Sequence, residues 1–148
     1  LIAYVLCESI VARMREQHLA ARCVSVQFRN TGLVSFTRQM TFSVPIYTVK
    51  RLVDIAVSLC RENYHFQLPL RSMSISVSRL LSRSSYHQLS LFEEIDDSKD
   101  EIVDVVLEQI RKRFGTFSIR RCSLKSDMEL TGFDPFSDHT IHPVNFFR

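Results

Sequence analysis

Four serines occupy every second position of the segment RSMSISVSRL: Ser72, Ser74, Ser76 and Ser78. That is the side-chain period of a β-strand, so the four hydroxyls share one face. Two earlier segments alternate in the same way. RCVSVQFRN sets Ser25, Gln27 and Arg29 against Val24, Val26 and Phe28. LVSFTRQMTFS sets Ser35, Thr37, Gln39 and Thr41 against Phe36, Met40 and Phe42, which share their face with Arg38. Short hydroxyls, amides, backbone N–H groups and arginines are the groups that hold phosphate oxygens. A merely solvated face mixes both charge signs, whereas this one has no acid. The candidate nucleic-acid contacts are Arg22, Ser25, Gln27, Arg29, Ser35, Thr37, Arg38, Gln39, Arg71, Ser72, Ser74, Ser76 and Arg79, with Arg83 adding charge. Such contacts position a duplex without reading its sequence, so binding is expected to tolerate any sequence and to weaken with salt. The face carries no aromatic residue, which argues against stacking on unpaired bases.

Other chemistries have thinner support. His139 and His142, with Asp134 and Asp138 nearby, could ligate a metal. The tail has no cysteine ligand and no metalloprotease spacing, so no metal site is assigned. Glu93, Glu94, Asp96 and Asp97 precede a helix start, where carboxylates favour the positive end of the helix dipole. No nucleophile elbow supports Ser-His-Asp catalysis, and no catalytic residue is assigned.

The stretch HQLSLFE is a short apolar plug between SRSSY and EEIDD. It is too short for a core helix. Gln88, Leu89, Ser90, Leu91 and Phe92 form either an edge strand or an extended peptide for another protein's pocket.

Charge is segregated along the chain. Residues 22–83 hold nine Lys/Arg against two Asp/Glu, residues 88–110 hold one against eight, and residues 111–125 hold six against none. Blocks of this kind speak to partners rather than to fold. Cys7, Cys23, Cys60 and Cys122 form no CxxC pair, which favours reduced thiols and a cytoplasmic setting over a disulfide frame. No apolar run is long enough to span a bilayer, so no membrane role is expected. The opening LIAYVLCESI begins without a leader, as an excised fragment would.

The elements that must position these groups follow from period and punctuation. Helices are expected over 2–18 and about 48–62, from apolar residues three and four apart. Thr31-Gly32 turns the first two strands into a hairpin. A third helix is expected from a capping box, Ser98-Lys99-Asp100-Glu101, to Gly115, with Ile102, Val105, Val106, Ile110 and Phe114 as its buried stripe. Residues 116–125 read as a short strand or an extended arm. The expected class is α+β: an antiparallel sheet with two helices on one face, plus a C-terminal helix and arm. The division is 1–83 for the sheet domain, 84–97 for a linker and 98–148 for the final helix and tail.

This order resembles the little-finger domain of the Y-family, DinB/UmuC-type translesion DNA polymerases. The resemblance rests on ESIVARMREQHLAARCVSVQFR, SFTRQMTF followed by a proline, RSMSISVSRL and RKRFGTFSIRRCSL, and it covers residues 1 to about 125. Ser74 stands where the family often has Gly, and Met40 where a basic residue is frequent. The resemblance implies the C-terminal part of a bacterial lesion-bypass polymerase, with primer–template DNA as partner. It implies that the fragment itself holds no cofactor, and that the parent polymerase uses Mg²⁺ on acids in a palm absent from these residues. It also matches the plug: bacterial members carry a QL[S/D]LF peptide that docks on the sliding clamp, and Gln88–Phe92 fit all five positions. The family fold has one more strand before the first helix. Without it, an open sheet edge could pair with 116–125 or with a second copy of the chain. The competing reading is a protein–protein adaptor using the acidic block or the sheet edge, with no DNA role.

Overall fold

The serine strand lies at one edge of a three-stranded antiparallel sheet, in a computed structural model that describes residues 1–64, 68–83 and 97–135. The element order is α1 (Ile2–Glu16), β1 (Leu19–Asn30), β2 (Ser35–Ile46), α2 (Val49–Asn63), β3 (Leu70–Ser82), α3 (Ser98–Phe114), a 3₁₀ turn (Cys122–Ser126) and α4 (Met128–Thr131). β1 is central, between β2 and β3. The class is α+β, as expected.

α1 crosses β1 and β3, α2 crosses β1 and β2, and the two helices pack against each other. Their stripes, Cys7, Ile10, Val11 and Met14 on α1 and Leu52, Val53, Ala56 and Leu59 on α2, meet Val24, Val26 and Phe28 of the sheet. All of these are buried. Phe28, Phe36 and Tyr64 close one end of the core, with ring centroids 5.2 to 6.1 Å apart. Cys7 lies within this core, and burial pushes its thiol up to about 12, so it stays protonated and inert. All four cysteines are free.

Several boundaries differ from expectation. α1 stops at Glu16, and His18, at φ 52°, turns the chain straight into β1, which begins at Leu19 rather than Arg22. β2 continues through Pro45 to Ile46 across a register irregularity. An edge strand tolerates the missing N–H. No strand forms at 116–125, which holds a turn and the 3₁₀ helix, so the expected pairing of that arm with the sheet edge does not occur.

The larger correction concerns α3. Its apolar stripe is not buried: Ile102 is 64 % exposed, Val106 47 % and Phe114 66 %, Val105 and Ile110 are only half-buried, and Asp104 is the helix's one buried residue. α3 docks by its polar face. Asp104 accepts the Val49 N–H at 2.8 Å and pairs with Arg121 at 3.3 Å; Glu108 pairs with Arg15 at 2.6 Å; and Arg111 pairs with Glu8 at 3.1 Å. Arg83–Glu101 (2.6 Å) and Arg51–Asp97 (3.3 Å) complete the seam. The N-cap is Asp97 rather than Ser98; it makes no side-chain cap bond, and its carboxylate accepts from Arg51 instead.

The returning arm packs against α1. Leu124 is fully buried, and the Thr131 hydroxyl reaches the carbonyls of Leu124 (2.7 Å) and Asp127 (2.6 Å).

Candidate nucleic-acid interface

The strand register assembles the polar groups into cross-strand rows. Directly opposite residues in a sheet share a face. Reading from β2 through β1 to β3, the rows are Ser35–Arg29–Ser72, Thr37–Gln27–Ser74, Gln39–Ser25–Ser76 and Thr41–Cys23–Ser78. Ten of these twelve side chains are exposed; Ser25 is half-buried at the centre and Cys23 is buried. Both helices lie on the opposite face, so nothing of the described chain roofs this one. It contains hydroxyls, two amides, one arginine and no acid.

The intervening rows belong to the helix side: Phe36–Phe28–Met73, Arg38–Val26–Ile75 and Met40–Val24–Val77. This takes four of the expected contacts out of the serine rows. Arg38 sits level with Val26, not among the serines. Its Nε donates to Asn63 Oδ1 at 3.0 Å and its guanidinium lies 5.6 Å from the Phe36 ring centroid. Asn63 ends α2, so Arg38 clamps helix to sheet. Arg71 and Arg79 have the parity of Met73, Ile75 and Val77, and both are exposed near the ends of β3. Arg22 shares the parity of Val24. It stands level with Arg79, between the pairs Ala21–Leu80 and Cys23–Ser78. Arg79 has φ 53°, in the left-handed region. Among the strand arginines, only Arg29 lies within the serine rows. The other four, Arg22, Arg38, Arg71 and Arg79, rim the sheet or brace it.

Two residues missed by the sequence reading organise the helix layer. Arg15 pairs with Glu108 and lies 3.8 Å from Asp104. Asp104 itself was legible as an anomaly: a lone acid inside the β-branched run Ile102–Val106. Burial raises its carboxyl above the ordinary value of 3.8, and the Val49 N–H, Arg15 and Arg121 offset this in part. The described part of the acidic stretch is thus paired within the chain. Asp97, Asp100, Glu101, Asp104 and Glu108 all face cations of the same chain.

Gln88–Phe92 and the pair His139 and His142 lie outside the described residues. Among the described residues, no group of three or more His, Cys, Asp or Glu is placed to hold a metal ion. None of their helices is long and apolar enough to cross a membrane.

Comparison with known proteins fits this arrangement. Residues 2–91 match the model of the impB/mucB/samB family C-terminal domain. The chain belongs to this family. That places it as the C-terminal region of a Y-family polymerase, consistent with the four sequence segments above. Relatives include DNA polymerase IV of Acetivibrio thermocellus, 28 % identical over 131 residues, 88 % of this chain and 33 % of that protein. DNA polymerase IV of Clostridium acetobutylicum is 28 % identical over 123 residues, 83 % of this chain and 31 % of that protein. DNA polymerase IV 1 of Bacillus subtilis is 27 % identical over 128 residues, 85 % of this chain and 31 % of that protein. The chain spans about a third of the length of these relatives.

Proposed function

We propose that this region of a lesion-bypass DNA polymerase holds duplex DNA through its sugar–phosphate backbone and tethers the enzyme to the sliding clamp. The observation that carries the first half is the uncovered face of four cross-strand rows with no acid in it. Hydroxyls and amides spaced by strand geometry offer many weak donors, and Arg29 with the rim arginines adds charge. A backbone grip of this kind lets the polymerase move along primer–template DNA without regard to sequence. The linker 84–97 supplies the tether, Gln88-Leu89-Ser90-Leu91-Phe92. Tethering raises local concentration at the primer end and leaves the chemistry unchanged. On this reading the fragment contributes no catalytic residue or cofactor. Mg²⁺ and nucleotidyl transfer belong to the rest of the polymerase, working in the bacterial cytoplasm.

The adaptor reading loses its main surface, because the described acids of the acidic block are paired internally. Titration of random-sequence duplex at increasing salt separates the two. Log affinity should fall linearly with log salt, by about 0.9 per phosphate engaged. Placing acids in the rows, as Thr37→Glu with Ser74→Glu, should abolish binding while the fold persists. A flat salt response, or unchanged affinity in that variant, rejects the phosphate grip.

A further inference from the structure

α3 ends in an aromatic and basic tip unlike the sheet face. Gly115, at φ 96°, breaks the helix, and the Ser118 N–H closes a turn on the Gly115 carbonyl at 3.1 Å. Arg111 Nε holds the returning chain at the Ile119 carbonyl, 3.1 Å away. This turn leaves Phe114 66 % exposed and Phe117 52 % exposed. Each ring has its own guanidinium: Arg113 lies 5.2 Å from the Phe114 centroid and Arg120 5.3 Å from that of Phe117. Beyond Phe117 runs a groove of about 500 Å³, walled by Ile119, Arg120, Lys125 and Met128, with no acid among the described residues of its lining.

The cations here divide into two sets. Arg111, Lys112 and Arg121 are consumed by Glu8, Asp104, Glu108 and Glu16. Arg113, Arg120 and Lys125 form no ion pair among the described residues. Arg120 also donates to the Thr131 carbonyl and to Met128 Sδ, but its charge meets no described acid. Exposed rings beside cations without a described acid partner match a ligand that is both flat-ringed and anionic. We propose that this tip binds an unpaired nucleic-acid strand, with bases stacking on Phe114 and Phe117 and phosphates meeting Arg113, Arg120 and Lys125. A duplex does not satisfy the rings, because its base faces are already stacked on one another. A single strand offers free π-faces of any sequence together with a charged backbone, and arginine beside an aromatic ring strengthens such stacks. The sheet face has no ring to offer. The two surfaces therefore divide the work, and this one stands independently of the duplex-binding reading.

Fluorescence anisotropy on the full chain tests it, with three labelled probes: an oligothymidine, an abasic backbone of the same length and a duplex. The wild type should prefer oligothymidine to the abasic strand. Phe114→Ala with Phe117→Ala should cost about tenfold or more on oligothymidine, with abasic and duplex affinities and circular dichroism unchanged. Phe114→Leu with Phe117→Leu should lose as much, since leucine is apolar but cannot stack. Equal wild-type affinity for the abasic strand overturns the proposal and reduces the tip to a phosphate patch. Unchanged oligothymidine binding in the alanine variant also overturns it. Full rescue by leucine does too, marking a protein-docking surface instead.

Discussion

Asp104 on α3 accepts the backbone N–H of Val49 at 2.8 Å, so the first turn of α2 is capped by a carboxylate from another helix. Thr48, the residue in the N-cap position, makes no side-chain cap bond of its own. An orphan N–H at a helix start needs an acceptor, and here tertiary docking provides it. Removing that carboxylate uncaps α2 and takes one of two acid partners from Arg15 and from Arg121. Asp104→Ala should cost about 2–3 kcal/mol, read as a shift in the urea midpoint. Ile102→Ser and Val106→Ser, on the outward stripe, should stay within about 0.5 kcal/mol. The opposite ranking would mean that α3 docks by its apolar face.

The same seam sets a pH dependence. Burial alone would raise the Glu108 carboxyl, but hydrogen bonds from Lys112 and Arg15 more than offset it and leave it below its ordinary 4.5. A depressed folded pKa gives stability that is present above the unfolded value and lost as pH falls through the folded one. Asp104 runs the other way. Its raised pKa means that the ionised form opposes folding, and that cost is relieved as pH falls through the folded value towards 3.8. The stability advantage of wild type over Glu108→Gln should therefore shrink on acidification. Its stability relative to Asp104→Asn should rise over the range above 3.8. Urea titrations of the three proteins from about pH 7 down to about pH 3.5 check both signs. Parallel curves for Glu108→Gln and wild type would show that the pairs with Arg15 and Lys112 contribute nothing.

The strand register makes a third expectation sharp. Arg29 lies in a serine row, whereas Arg38 lies on the helix side, bonded to Asn63. Arg29→Ala should weaken duplex binding and lower the salt slope by about 1, with stability unchanged. Arg38→Ala should lower stability by about 1 kcal/mol, the usual worth of one such hydrogen bond, and leave the salt slope intact. If Arg38→Ala alters the slope as much as Arg29→Ala does, the face assignment is wrong.

What could be read from the chain, and what could not, divides along a physical line. The period-two runs placed all three strands and both faces, because one buried face imposes alternation on every residue between turns. Val24, Val26 and Phe28 were legible as core for that reason. Arg71 and Arg79 were not, since they share parity with apolar neighbours and simple polarity assigns them to the wet face; Arg38 was read on the apolar face by its period but counted among the phosphate contacts by its charge. α3 was misread for a related reason. Its apolar spacing through Ile102, Val106 and Phe114 is real, but the docking surface on α1 and α2 is ionic, supplied by Glu8, Arg15 and Val49 from remote segments. Periodicity reports which face is apolar, not which face meets the neighbour. The same distance in sequence hid the meaning of the described acids, most of whose partners, Arg15, Lys50, Arg51 and Arg83, come from earlier segments.

The tether makes the last prediction. Gln88-Leu89-Ser90-Leu91-Phe92 joins two large apolar anchors to a polar entrance residue, between flanks too polar to bury. Binding energy in such a peptide concentrates in the anchors, so truncating both should cost roughly thirtyfold or more. Leu91→Ala with Phe92→Ala should abolish binding to an immobilised bacterial sliding clamp, measured by surface plasmon resonance. On the tether reading, duplex affinity and the thermal midpoint should match wild type. A variant that keeps its clamp affinity rejects the motif. One that loses stability instead makes Leu89, Leu91 and Phe92 part of the fold, as an edge strand would require.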